Sequence, residues 1–485
     1  MKTLFCSIAV VFTLGLTSLH AQNLTYDYAT NPGWFAPTAW TPGPTAWSGG
    51  ANATMNATST KAITFNASTT IGNLTITGSG AFAVDLGSDA TPATLTFNGG
   101  TIFVTPVIET ELGTSIQGNF TSTGGGVLRF ATSATAYNGT ATINAGRFEI
   151  SNASTVGANS HVTVNTGGVF NPRNGNTYNF GNIVVNGGNF ELSRTNTTST
   201  TITANLTSLS GSGGNITLLV RTSFDAVGVH NSTLNINQAT TTTFSGNVNG
   251  FTTAFGGNQT AFLTLNKLGA GSLALSGNIT LQRATTISAG TLLINSTNAT
   301  FTSDTTNAIS VNGTLGGTGT LQITGGDNVA LTGNGSLLAG LAGSAGQTTY
   351  SLTGGTFDLS TRTAGSGTGW LNFDLGADTT PGSTYDRISI TGTGALNIGS
   401  GLNFSDFAFN NLGGFGSGNY TLFSTPSTIT GSLGTANGTI SGLDATLEIS
   451  GNNLILNVIP EPTTTLTLLA GLGGLLFLRR PRRKQ

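Results

Sequence analysis

Carboxylate side chains are the residues of this chain best suited to catalysis, but they are few. Glu109 and Glu111 lie two positions apart in "VIETELG", so a strand would point both of them to the same side. A pair of carboxylates on one face is what glycoside hydrolases require. Only 7% of the residues are charged, however, and we therefore expect a protein without enzymatic activity. The alternative is a secreted β-helical polysaccharide lyase or hydrolase that uses such carboxylates.

No other side chains form a catalytic or metal-binding pattern in the sequence. The chain has three histidines: His20, His161 and His230. They lack the carboxylate and nucleophile partners of a catalytic triad, and they do not form a zinc-binding cluster. Three aspartates could bind calcium, although not with EF-hand spacing: Asp374, Asp378 and Asp386. We expect Asp386 instead to cap a turn at the start of a strand, and we predict no catalytic residue, no cofactor and no metal site.

The elements that must position these residues are strands, because the composition is typical of an all-β protein. Of 485 residues, 71 are glycine and 37% are hydrophobic, and the formal net charge is only −2. Disordered chains have a high net charge and few apolar residues. Abundant β-branched residues, Gly and Asn favour short strands joined by tight turns. Without Lys2 and the basic C-terminal tail the net charge is about −7, so we do not expect binding to nucleic acid.

A repeat organises the strand-like segments. The segments "TINAGRFEI", "TVNTGGVF" and "VVNGGNFEL" share one pattern, and their asparagines Asn144, Asn165 and Asn186 are spaced 21 residues apart. One such unit per period predicts a right-handed parallel β-helix, with aliphatic side chains inside and asparagine ladders at the corners. Stacking would place like charges above one another, which would explain why charges are scarce. A set of β-sandwiches is the competing fold.

Three tryptophans lie near the N-terminus: Trp34, Trp40 and Trp47. Flat aromatic rings can stack on sugars, so these side chains are candidates for glycan binding. A β-helix must also cover the strand edges and the apolar core that its first turn exposes. We therefore favour an aromatic cap as their role.

One segment of the repeat region resembles a known family. Residues 266–295, "NKLGAGSLALSGNITLQRATTISAGTLLIN", are similar to the autotransporter-associated β-strand repeat. The matching residues are Lys267, Gly269, Gly271, Ser-Gly-Asn at 276–278 and Ala-Gly-Thr-Leu at 289–292. The resemblance implies a parallel β-helix, in agreement with the period of the repeat.

The N-terminus is typical of a secretory signal peptide. Met1 and Lys2 precede an apolar stretch over residues 4–16, and "SLHAQ" predicts cleavage after Ala21. The only cysteine, Cys6, lies in this segment. The exported chain would therefore contain no thiol, so hydrogen bonds and packing must hold it together without disulfides.

The C-terminal segment 460–485 combines three features in order. These are Pro460-Glu461-Pro462, an apolar segment over 463–478, and the basic residues Arg479, Arg480, Arg482, Arg483 and Lys484. As a helix the apolar segment would span about 24 Å, less than the hydrocarbon core of about 30 Å. Cations beside such a span are typical of the cytoplasmic side. This ending is similar to a PEP-CTERM sorting domain.

The PEP-CTERM resemblance implies recognition by an exosortase, a membrane-embedded transpeptidase that would remove the tail. The C-terminal helix would anchor the chain transiently in the inner membrane, and the protein would then pass to the cell surface or the extracellular space. An ordinary single-span anchor without processing is the alternative.

Together these features predict five segments and one role. The segments are a signal peptide at 1–21, an N-terminal cap at 22–60, β-helix repeats at 61–360, a closing β-region at 361–459 and a sorting signal at 460–485. We expect an exported structural or adhesive protein of the cell surface or extracellular matrix. Its expected partner is an exosortase-type transpeptidase, and exopolysaccharide is a further candidate.

Overall fold

Apolar residues at every second position build the strands of this protein. In "HVTVN", for example, Val162 and Val164 are buried and the residues beside them are half-buried. A computed structural model describes residues 23–26, 40–41, 49–57, 61–64, 67–78, 83–87, 93–106, 108–113, 115–130, 137–151, 156–173, 176–194, 201–220, 228–253, 259–363, 368–378 and 380–460. It gives a nearly all-β chain.

The first half of the described chain contains twenty-one strands. They are β1 (Asn23–Tyr26), β2 (Trp40–Thr41), β3 (Asn52–Ala57), β4 (Lys61–Thr64), β5 (Thr69–Ile71), β6 (Leu74–Gly78), β7 (Ala83–Gly87), β8 (Thr94–Val104), β9 (Glu109–Leu112), β10 (Ser115–Thr123), β11 (Val127–Phe130), β12 (Thr140–Ile143), β13 (Gly146–Ile150), β14 (His161–Asn165), β15 (Gly168–Pro172), β16 (Thr177–Arg194), β17 (Thr203–Val220), β18 (Gly228–Ile236), β19 (Thr242–Phe244), β20 (Asn247–Thr253) and β21 (Gln259–Lys267).

The second half contains twenty-one further strands and two short helical segments. The strands are β22 (Ser272–Leu275), β23 (Ile279–Leu281), β24 (Thr285–Ile287), β25 (Thr291–Ile294), β26 (Ala299–Phe301), β27 (Asn307–Val311), β28 (Thr314–Gly316), β29 (Thr320–Ile323), β30 (Asn328–Leu331), β31 (Ser336–Leu338), β32 (Gln347–Leu352), β33 (Thr356–Asp358), β34 (Leu371–Leu375), β35 (Arg387–Gly392), β36 (Ala395–Leu402), β37 (Phe407–Asn411), β38 (Gly418–Ser424), β39 (Thr430–Leu433), β40 (Asn437–Ile440), β41 (Leu443–Ser450) and β42 (Asn453–Val458). The helical segments are α1 (Ser360–Thr363) and a 3-10 turn, Phe404–Asp406.

Strands of successive turns pair side by side in parallel, in three stacks. One stack runs through β4, β7, β9, β11, β13, β15 and the end of β16. A second runs through β6, β8, β10, β12, β14 and the middle of β16. A third includes the starts of β16 and β17, followed by β18, β21, β24 and β27. The chain therefore forms a parallel β-solenoid, and the predicted all-β class with stacked parallel strands is confirmed.

Aliphatic and aromatic side chains fill the interior in columns that run from turn to turn. Phe148, Phe170 and Phe190 occupy equivalent positions of β13, β15 and β16. Their ring centroids are 5.5 Å apart at both steps, and all three side chains are buried. Aromatic neighbours at this distance add to the free energy gained from burying apolar surface.

Asparagine ladders stabilise the outside of the solenoid, as the repeat predicts. The Asn165 amide nitrogen donates to Asn144 Oδ1 at 2.7 Å, across 21 residues. The third asparagine of that series departs from the pattern, because the register shifts where β14 meets β16. The oxygen Asn186 Oδ1 instead accepts the backbone N–H of Ser212 at 3.2 Å.

A longer ladder, which we call the amide ladder, runs over four turns through Asn179, Asn205, Asn235 and Asn266. The amide nitrogen of each asparagine donates to the side-chain oxygen of the preceding one, at 2.7, 2.7 and 2.9 Å. The sequence separations are 26, 30 and 31 residues, so the turns are not of equal length.

Some corners bring the backbones of two turns too close for a side chain. Gly290 has a φ of +65°, and an added Cβ would lie 2.3 Å from the carbonyl oxygen of Gly271. Only glycine fits such a corner without strain. This position belongs to the Ala-Gly-Thr-Leu part of the segment at 266–295.

The C-terminal end of the solenoid closes with antiparallel strands. Parallel pairing continues to β38 and β39, beyond the predicted boundary at 360. Then β42 pairs antiparallel with both β38 and β41, and β40 pairs antiparallel with β41. The closing region thus contains further turns as well as this terminal sheet.

Several predicted features fall on parts of the chain that are not described. These include the signal segment with its cleavage site at Ala21, the side chains of Trp34, Trp40 and Trp47, and the tail from Glu461 onward. Within the described residues, no helix has both the length and the apolar character needed to cross a membrane. The predicted transmembrane helix at 463–478 lies outside those residues.

Candidate functional site

Four of the six glutamates of the chain come together on the outside of the solenoid. Three arginines join them, although the four glutamates span 82 residues of sequence from first to last. We call this group the charged cluster: Glu109, Glu111, Arg129, Arg147, Glu149, Arg173 and Glu191. Its concentration in a chain with so little charge makes it the main candidate site.

The register of three neighbouring strands sets the order of charges. In β9 and β11, Glu111 lies beside Arg129, and in β13 the next position is Glu149. Arg129 alternates with the buried residues Leu128 and Phe130, so it points outward, and the register places Glu149 beside it although Glu149 is itself buried. The column therefore reads negative, positive, negative. Like charges do not stack here. Stacked like charges would repel one another, and this column avoids that repulsion by alternating the sign of its charges.

Arg129 is the central cation of the charged cluster. Its guanidinium donates from Nη2 and Nε to Glu149 Oε2 at 2.8 and 3.0 Å. Its Nη1 lies 3.4 Å from Glu111 Oε2 and also forms an ion pair with Glu109. One arginine thus binds three carboxylates, and burial lowers the pKa of its guanidinium.

The other two arginines complete the network from later turns. Arg173 Nη1 lies 2.5 Å from Glu149 Oε2, and Arg147 Nη1 lies 2.6 Å from Glu191 Oε2. The Glu149 side chain is only 1% exposed, whereas those of Glu109 and Glu111 are 41% and 40% exposed. The cluster therefore has a buried centre and an open edge.

This arrangement restricts the chemistry that the cluster could perform. Each of its carboxylates is already bound by at least one guanidinium, so a substrate would have to displace an arginine to reach it. Glu109 and Glu111, the predicted carboxylate pair, do lie together, but they share the guanidinium of Arg129. The geometry is that of an ion-pair network across turns.

Sequence reasoning missed five members of the cluster: Arg129, Arg147, Glu149, Arg173 and Glu191. A signal was present, because Arg129 lies 18 residues after Glu111 and 20 residues before Glu149. Both separations are close to the period of the repeat. Opposite charges one period apart would have indicated a contact.

A second group of carboxyls lies near the C-terminal end. Asp386, which directly precedes β35, accepts the backbone N–H groups of Gly346 and Asp374 at 2.6 and 2.8 Å. It is fully buried, and burial raises its pKa to about 8. Asp386 thus binds backbone groups that lie 40 and 12 residues away in sequence, and its role as a turn cap stays a prediction. Among the described residues, no group of three or more His, Cys, Asp or Glu could hold a metal ion.

The two later histidines lie on strands of the solenoid. His161 begins β14, and its Nδ1 accepts the backbone N–H of Asn182 at 2.9 Å. This is a contact between turns. His230 lies in β18, but its side chain is outside the described residues, as is all of His20.

Lys267, in the segment that resembles the autotransporter repeat, is a buried cation. It lies between Ile236 and Ile287 in a column of inward positions. Its ammonium group donates to the carbonyl oxygens of Gly269 and Ala289, and burial lowers its pKa. The lysine therefore binds backbone oxygens at a corner of the coil, which gives this motif residue a structural role.

No model of a known protein family matches this chain, and no curated protein matches it. The resemblances of residues 266–295 and 460–485 therefore stay predictions from the residues.

Proposed function

We propose that this protein is an exported structural or adhesive component of the cell surface or extracellular matrix. In this proposal the β-solenoid is the part that acts outside the cell, and its coil is right-handed, as crossovers between parallel strands nearly always are. The C-terminal segment 460–485 acts as a PEP-CTERM sorting signal. An exosortase-type transpeptidase removes it after the chain has been held in the inner membrane.

One observation carries the proposal. On the outside of the solenoid, asparagine side chains of successive turns bond to one another, as in the amide ladder. Its largest charged group, the charged cluster, is likewise occupied by its own contacts. A surface of this kind suits a stable, extended support better than a catalytic site.

The sorting step is tested by intact mass of the protein from membrane and surface fractions of a host that has an exosortase. We expect the surface form to lack the residues after the Pro460-Glu461-Pro462 motif. The variant Glu461→Ala should keep the full tail and accumulate in the membrane, whereas the matched control Glu448→Ala, an exposed glutamate of β41, should be processed normally. A surface form with the complete tail would contradict processing and favour a plain anchor.

The clustering of carboxylates favours a second candidate, a polysaccharide lyase or hydrolase. Four glutamates and three arginines on one outer face are the elements that such an enzyme would need. Incubation of the protein with pectins and alginates, followed by assays for unsaturated products and reducing ends, tests this candidate. Cleavage that is lost in Glu111→Gln and kept in Glu448→Gln would establish the enzyme; no cleavage of any polymer would reject it for these substrates.

A further inference from the structure

A half-open pocket lies on the outside of the solenoid over strands β31, β34 and β37. Its volume is about 250 Å³. The register places Asn372 beside Ala408 and Asp374 beside Asn410 in the neighbouring strand. We call this site the outer pocket, and its polar and small lining residues are Asn372, Asp374, Ala408, Asn410, Ala342 and Gly343.

The floor of the outer pocket is a buried carboxylate between amides. Asp374 is 5% exposed, and it accepts the Asn410 amide nitrogen and the Ser344 backbone N–H, each at 2.9 Å. The Asn372 amide nitrogen donates to the carbonyl oxygen of Leu337 at 3.0 Å. Within the described part of the chain, the side-chain oxygens of Asn372 and Asn410 have no hydrogen-bond donor. They are available to a ligand.

Small residues form part of the wall above this floor, beside the larger side chains of Leu338 and Phe409. Ala342, Gly343 and Ala408 leave the pocket open, and a Cβ added at Gly343 would meet nothing within 4 Å. The loop that carries Ala342 and Gly343 is fixed at its end, because Asp386 binds both Gly346 and the backbone of Asp374. The pocket is thus largely formed before any ligand enters, which favours binding.

We propose that the outer pocket binds one neutral sugar unit of a polysaccharide. Sugar hydroxyls both donate and accept, so they match a carboxylate and two amide side chains that still have free acceptor and donor positions. The lining contains no cation, and the carboxylate of Asp374 would repel an acidic sugar. The volume is below the about 300–1,000 Å³ of pockets for drug-sized ligands, which fits a single ring.

Sugar binding in the outer pocket depends on the pocket residues alone and does not require the sorting signal. It would supply a ligand for the adhesive role proposed above. Because sorting is measured by mass and binding by spectroscopy, either proposal can fail while the other holds.

The test is saturation-transfer NMR on the full-length chain with single methyl glycosides. The neutral probes are methyl glucoside, methyl galactoside and methyl mannoside, and the acidic probe is methyl glucuronide. We expect saturation of the ring protons of at least one neutral probe and none for the glucuronide. Absence of transfer to every neutral probe, or equal transfer to the glucuronide, would overturn the proposal.

Three variants and one control locate the binding. Asp374→Asn and Asn410→Ala should each weaken binding about tenfold or more, since each removes hydrogen bonds to the ligand. Ala408→Leu should abolish binding by filling the pocket without touching its polar groups. If Asp374→Asn does not fold, Ala408→Leu still tests whether the sugar binds in the outer pocket. Asn419→Ala, an exposed asparagine of β38 outside the pocket, should leave binding unchanged.

Two results would assign the pocket differently. Unchanged sugar binding in a folded Ala408→Leu variant would place the sugar elsewhere and contradict the proposal. A rise in melting temperature with calcium alone, lost in Asp374→Asn, would identify a cation site instead.

Discussion

Glu149 and Asp386 are both buried carboxyls on the same solenoid, yet they have different partners. Glu149, in the charged cluster, is contacted by the guanidinium groups of Arg129, Arg147 and Arg173. Asp386 is bound by two backbone N–H groups, from Gly346 and Asp374. Burial raises the pKa of Asp386 to about 8, so near neutral pH much of this group carries a proton.

The amide ladder shows a third way to stack polar groups in a parallel coil. There each position repeats the same neutral side chain, which both donates and accepts. A coil places equivalent positions directly above one another, so a carboxyl must meet a cation, meet backbone N–H groups, or be replaced by an amide. Glu149 and Asp386 therefore differ in their partners rather than in their burial.

The largest expected effect comes from removing the shared acceptor of the charged cluster. Glu149→Leu removes the carboxylate that three arginines share and leaves the partly buried Arg173 without it, and we expect this to lower the free energy of unfolding by about 3 kcal/mol. Urea denaturation of the full-length chain measures this. The double variant Glu149→Leu/Arg173→Leu should be more stable than the single one, because Arg173 has lost its carboxylate whereas Arg129 and Arg147 keep theirs. A double variant that is less stable than Glu149→Leu would contradict the ion-pair account.

Asp386 should make stability depend on pH. Its pKa is raised in the folded state, so the folded protein binds this proton more tightly than the unfolded chain does. The resulting stabilisation is complete below the unfolded pKa near 4 and is lost as the pH rises towards about 8. The slope in this window is at most about 1.4 kcal/mol per pH unit. Asp386→Asn should flatten it, as measured by urea denaturation across pH; an unchanged slope would assign the effect to other groups.

A carboxylate placed in the amide ladder should cost less than the loss of Glu149. In Asn205→Asp, the new carboxylate loses the donor to Asn179 and sets two oxygens against each other. We expect a loss of about 1–2 kcal/mol in the free energy of unfolding. The loss should shrink at low pH, where the aspartate is protonated and can donate again. Asn419→Asp, outside any ladder, is the control and should change stability little.

The smallest effect is expected at the open edge of the charged cluster. Glu109 is 41% exposed, and exposed ion pairs contribute little. Glu109→Gln should therefore change the free energy of unfolding by about 0.5 kcal/mol or less. Added salt should have little effect on the difference between Glu109→Gln and the unsubstituted chain. A large loss would mean that the edge of the cluster is as important as its centre.

The sequence predicted the parts of this structure that depend on spacing within one turn. Alternating apolar residues gave the strands, and the separation of 21 residues gave the contact between Asn144 and Asn165. The prediction weakened where turns differ in length, as between Asn186 and Ser212, 26 residues apart. Because these turns contain more residues than the period of 21, a contact between turns can no longer be predicted by adding a fixed number of residues.

The sites were harder to predict than the fold for the same reason. The charged cluster needs the register of five turns, and only the pairs Glu109/Glu111 and Arg147/Glu149 are close in sequence. The outer pocket depends on a loop held by Asp386 from a position 40 residues later than Gly346. No local sequence pattern predicts that contact, because a lone aspartate before a strand is equally consistent with an isolated turn.

The antiparallel end of the solenoid has a consequence for self-association. A purely parallel coil ends in an edge that the first turn of a second molecule could extend, as in a growing filament. Here β42 runs against β38, and the outer strand β40 again runs against β41. An incoming strand at this sheet meets reversed polarity, with a different spacing of N–H and C=O groups. Head-to-tail polymerisation is thereby disfavoured at this end.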